Sequence, residues 1–66
     1  MNKTIRDLQA RRAASIGVMR AVTNMAAAAG REPTADELVQ FDTAKAAVAS
    51  ADAAIDRETA TMAYEA

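Results

Sequence analysis

The chain is broken once, at Gly30-Arg31-Glu32-Pro33, and that break dictates its shape. A proline has no N–H to donate and its ring clashes with the preceding turn, so a helix arriving from Ala29 cannot run through Pro33. The most regular stretch of the sequence begins immediately after it. Thr34-Ala35-Asp36-Glu37 spells a capping box, in which the Thr34 hydroxyl accepts from the Glu37 N–H while the Glu37 carboxylate accepts from the Thr34 N–H. Beyond it Phe41, Val48, Ile55 and Met62 recur every seven residues, and Ala44 and Ala51 stand three places after the first two. The pattern predicts a helix with one narrow apolar seam, small at alternate rungs, suited to the close approach of a second helix.

That second helix is the first half of the chain. Asn2 and Thr4 are both acceptable N-caps, and Thr4 is preferred because Ile5 then opens the helix with Asp7 near its positive end. Ile5, Leu8, Ile16, Met19 and Val22 form one stripe at 100° per residue, with Val18 and Met25 flanking and Arg6, Arg20 and Asn24 elsewhere. Gly17 sits mid-helix as a tolerated small residue, and Gly30 suits the left-handed position just past the helix end. The expectation is a single all-α domain over 1–66: helix 4–29, turn 30–33 and helix 34–63, an antiparallel two-helix hairpin like a short coiled coil. Ala63 to Ala66 carry no stop signal and are expected to fray.

Folding the chain at the turn predicts neighbours. Val22 faces Phe41, Met19 faces Ala44 or Lys45, Ile16 meets Val48, Leu8 meets Ile55, and Arg12 falls opposite Asp52 as a cross-helix ion pair. Charge supports the antiparallel pairing, because residues 1–30 carry five bases and one acid while residues 34–66 carry seven acids and two bases.

Composition then limits function. Only thirteen large apolar side chains lie between Ile5 and Met62, against nineteen alanines in the chain, so a lone hairpin has a thin core and a partner chain is the expected remedy. There is no cysteine and no histidine, which removes disulfides and Cys/His zinc sites. No cofactor or metal is expected, since two helices do not enclose a pocket of catalytic size, and Asp52 with Asp56 one turn on makes an incomplete shell for a hard cation. The chain reads as a non-enzyme. Its net charge of −1 provides no bulk attraction to nucleic acid or an acidic membrane, and its longest apolar run, Met25 to Ala29, is far too short to span a bilayer.

Arg6, Arg11, Arg12 and Arg20 form the one basic patch, read first as ion-pair partners of the acidic second helix because no aromatic residue interleaves with them. Met19, Met25 and Met62 read as ordinary core. The alanines are informative: Ala44, Ala47, Ala51 and Ala54, with Ala10, Ala13, Ala14 and Ala21 on the first helix, exceed what one interface can use. Faces of small residues on two sides predict hairpins that stack into a bundle.

Ile5, Leu8, Arg11 and Arg12 in the first half, and Thr34, Asp36, Glu37, Phe41, Asp42, Val48, Asp52 and Ile55 in the second, resemble a known pattern. Tailed-bacteriophage major capsid proteins of the Hong Kong 97-type fold begin with a similar helical arm, the scaffolding or delta domain. This chain differs in carrying alanine at 44 and 51, where that pattern usually has leucine, and on this reading it would be the isolated arm, whether a fragment of a longer capsid protein or a free-standing gene product. The resemblance implies a procapsid assembly domain that self-associates and contacts other capsid protein subunits. It implies removal by a phage maturation protease and residence in the host cytoplasm within the procapsid or virion. On that view Leu8, Ile16, Met19, Val22, Phe41, Ala44, Val48, Ala51, Ile55 and Met62 hold the hairpin or its oligomer. Two rivals stand beside it: a dimeric RNA-binding hairpin using the arginines, and a small helical adaptor of a host protein.

Overall fold

A computed structural model of the chain describes residues 2–66 and shows two helices packed against each other: α1, Lys3–Ala28, and α2, Ala35–Glu65. The hairpin measures 52 × 17 × 11 Å, two helices thick in one direction and one in the other. No strand occurs among the described residues.

α1 begins earlier than expected. Its N-cap is Asn2, not Thr4: Asn2 Oδ1 accepts from the Ile5 N–H at 3.1 Å while the Asn2 backbone is extended. Asn2 is favoured because its amide has a second use, Nδ2 donating to Glu58 Oε1 on α2 at 3.2 Å. Thr4 has no such partner. The earlier start moves Asp7 into the second turn, where it meets Lys3 at 3.9 Å on an exposed surface. At the other end of the chain α2 continues to Glu65, two residues past the expected end at Ala63.

The turn is closed by two hydrogen-bonded motifs in sequence. The Gly30 N–H donates to Ala27 O and the Arg31 N–H to Ala26 O, both at 3.1 Å, and Gly30 lies at φ 64°. These are the two bonds of a Schellman motif, which needs a left-handed residue at that point. Pro33 then leads into the capping box, with the Thr34 N–H on Glu37 Oε1 at 2.8 Å and the Glu37 N–H on Thr34 Oγ1 at 3.1 Å. Helix end and helix start are thus both satisfied within a few residues.

Burial defines the packed faces. Along α1 the covered or half-covered positions are Ile5, Leu8, Arg12, Ser15, Met19, Val22 and Ala26; along α2 they are Glu37, Phe41, Ala44, Val48, Ala51, Ile55 and Glu58, with Ala54 beside them. Both lists alternate steps of three and four, the spacing that keeps one seam facing a partner. Ile16 is the exception to the sequence reading: it is 40% exposed, and Ser15 occupies its rung. A stripe drawn through the apolar residues alone drifts to Ile16. The strict alternation from Leu8 runs through two polar residues, Arg12 and Ser15, before reaching Met19. Met62 is likewise exposed, because α2 there extends past the level at which α1 starts.

The two glycines should respond oppositely to alanine. Gly17 lies in mid-helix, and a Cβ there would meet nothing within 4 Å. Gly17→Ala is expected to raise stability by about 0.5–1 kcal/mol. Gly30→Ala forces a Cβ into the left-handed region and is expected to cost about 1–2 kcal/mol. Thermal melts of the two variants at matched concentration check both signs.

Candidate functional site

The functional surface of a hairpin without an enclosed cavity is its set of helix faces. Aligned in opposite directions from the Arg12–Asp52 bond, the two seams stand level at Leu8 and Ile55, Arg12 and Ala51, Ser15 and Val48, Met19 and Ala44, Val22 and Phe41, and Ala26 and Glu37. Large residues meet small ones along the middle. Ala44 leaves room for Met19, and Ala51 leaves room for the stem of Arg12, whose Nε then donates to Asp52 Oδ1 at 2.7 Å at the seam's edge. Both charged groups remain about half exposed, so the pair contributes at most about 1 kcal/mol and mainly fixes register.

The seam is thin. The fully covered apolar residues are Val22, Ala26, Ala44 and Ala51, and none of the large side chains is completely enclosed. Ile16, Val18, Met25, Leu38 and Val39 stay exposed, Val39 at 65%.

Glu37 is the buried charge. It is 8% exposed, on the rung of Ala26, and it collects four hydrogen bonds. Three reach the carboxylate, from Arg31 Nη1 to Oε1 at 2.7 Å, from Nη2 to Oε2 at 3.4 Å and from the Thr34 N–H to Oε1 at 2.8 Å, and in the fourth the Glu37 N–H donates to the Thr34 hydroxyl at 3.1 Å. Arg31 thus grips the carboxylate through two nitrogens, a geometry only guanidinium offers. The Arg31 hydrogen bonds first, then the Thr34 N–H, hold the Glu37 carboxyl at about 2, well below its ordinary 4.5. Arg31 is raised in turn by Glu37. The capping box was legible from Thr34 and Glu37 alone. The arginine was not, because its side chain reaches forward six residues across the turn from a position that reads as loop.

The two flanks of the seam differ. One carries Arg12, Lys45 and Asp52 together with Ile16 and Leu38. The other is a continuous trough. One part, of about 370 Å³, lies between Ser15 and Val18 of α1 and Val39, Gln40, Thr43 and Ala47 of α2. The adjoining part, of about 240 Å³, lies between Leu8, Arg11 and Ser15 and the Ala47, Ser50 and Ala54 side of α2. Its floor is alanine. Arg11 is its only charged lining residue.

The arginines do not converge. Arg12 is committed to Asp52, Arg11 borders the trough, and Arg6 and Arg20 lie on the far flank, separated by fourteen residues, or roughly 21 Å of helix. Among the described residues no three acidic side chains gather as they would around a cation, and no helix is long and apolar enough to cross a membrane. Comparison with protein-family models, with curated proteins and with solved structures finds no match.

The depressed Glu37 value sets a pH window. A carboxylate held low in the folded state contributes stability that is complete above its unfolded value and disappears as pH falls through its folded value, here between about 4.5 and about 2. Thermal stability followed by circular dichroism is expected to fall across that window, and Glu37→Gln should flatten that part of the profile while lowering the plateau above it. An unchanged acid limb in the variant would remove Glu37 as the titrating group.

Proposed function

We propose that the chain is a structural assembly module, a helical hairpin that completes its core by associating with further copies of itself. The observation that carries this reading is its surface. A compact protein of 6.9 kDa is expected to expose about 4,000 Å², whereas this hairpin exposes 4825 Å². The excess, roughly 800 Å², is what one partner contributes to an interface of standard size. The elongated shape and the exposed Val18, Met25 and Val39 point the same way, since each is a surface that association would cover.

A scaffolding arm of a tailed-phage capsid protein is the specific form we propose for this module, on the residue pattern that runs from Ile5 to Ile55. Such an arm joins neighbouring arms within the immature shell and is later removed by the maturation protease, a cycle served by a fold whose stability depends on company. The RNA-binding alternative is disfavoured by the dispersal of Arg6, Arg11 and Arg20 around α1 and the engagement of Arg12 with Asp52.

Linkage makes the test direct. For a fold completed by self-association, sedimentation mass and melting temperature both rise with protomer concentration, here expected between about 1 μM and about 1 mM. A monomer whose melting temperature is constant across that range would overturn the proposal. Binding to RNA that weakens steeply with salt would favour the arginine-based alternative. The phage-specific part is tested by the coding sequence around the chain: a capsid body in frame or in the neighbouring gene supports it, and surroundings with no virion genes overturn it.

A further inference from the structure

The geometry points to the trough flank of α2 as the face on which a second copy docks, antiparallel, with a two-fold axis passing at Ala47. This rests on the self-association reading and specifies its surface.

α2 carries a second row at steps of three and four, turned about a quarter of the helix away from the first: Gln40, Thr43, Ala47, Ser50 and Ala54. All five line the trough. They are small or uncharged, which permits close helix approach, but smallness alone names no partner. The ends of the row do. Asp36 continues it toward the turn and Arg57 toward the C-terminus. Among the described residues neither forms an ion pair within the hairpin, a state they share with most of its charged residues, and what sets them apart is their opposite sign on one row.

Asp36 lies eleven residues before Ala47 and Arg57 ten residues after it, so they stand about 15–17 Å from the centre on the same side of the helix. Rotating a copy end for end about Ala47 brings its Arg57 over Asp36 and its Asp36 over Arg57. The same rotation sets Thr43 against Ser50 and Gln40 against Ala54. An interface of this kind must be self-complementary, each residue meeting the one its own image presents. A single row with opposite charges at equal distances from its centre meets that condition. Val18 and Val39 border the same trough and enter the interior of the resulting four-helix bundle. The opposite flank, crossed by the Arg12–Asp52 pair and carrying Lys45, has no such symmetry.

The chain has no cysteine, so an introduced one is a clean probe. Under mild oxidation Ala47→Cys is expected to form a disulfide-linked dimer, because a residue on the axis meets its own copy, while Ala13→Cys on the outer side of α1 should remain unlinked. Arg57→Asp sets like charges together at both ends and is expected to weaken self-association about tenfold, with Asp36→Arg added to it restoring association. Both measurements use the full chain at a concentration where the wild type associates. Association that leaves Ala47→Cys unlinked, or that links Ala13→Cys equally, would overturn this face and leave the assembly reading standing. A chain that stays monomeric throughout would overturn both.

Discussion

Close approach of two helices over alanine is the constraint on which the rest of this structure depends. Ala44, Ala51 and Ala26 are covered, and of the larger apolar residues on the seam only Val22 is covered as fully, while Ile5, Leu8, Met19, Phe41, Val48 and Ile55 are half covered. Met19 has room because Ala44 is opposite, and Arg12 can cross at Ala51 because nothing larger stands there. Separation between packed helices is set by the side chains at the contact, and small ones place it at the near end of the usual 8–10 Å. Such a seam specifies register well, because a one-rung slip sets Met19 against Phe41 or Val48. It buries little apolar area, and the hairpin therefore has register without much depth.

Charge makes up part of that shortage at the turn. Glu37 occupies a rung of the seam where an apolar residue would be expected, and a buried carboxylate is costly unless its oxygens are satisfied. Arg31 and Thr34 satisfy them. The same carboxylate therefore caps α2, anchors the connecting segment and closes the end of the seam. With the Schellman bonds of Gly30 and Arg31 it makes the turn the best-determined part of the molecule.

Most of the architecture was readable from residue order. Pro33, Gly30 and the Thr34–Glu37 box gave two helices and their connection, and the heptad from Phe41 gave the face of α2. The α1 face was harder because apolarity and position part company there. Ser15 and Arg12 hold seam rungs, and Ile16 does not. Apolar residues mark a seam only where packing area decides position, and here the partner's alanines accept polar neighbours. Asn2 was missed as cap because its decisive second hydrogen bond, to Glu58, runs between the chain's ends. Of the proposed association surface, the surplus of alanines is readable in the sequence. The trough and its end charges become apparent only once the hairpin settles which sides of α2 remain uncovered.

α2 has 31 residues to the 26 of α1, and its last turns stand past the point where its neighbour begins. Tyr64, almost wholly in solvent, is part of this overhang. The hairpin is consequently graded along its length, knotted at the turn and, past the Asn2–Glu58 bond, continued by α2 alone at the other end. Spontaneous opening starts at the free end and travels toward the knot. Backbone amides near Tyr64 exchange with solvent long before those near Phe41, and an enzyme that needs an unwound strand finds its first purchase there.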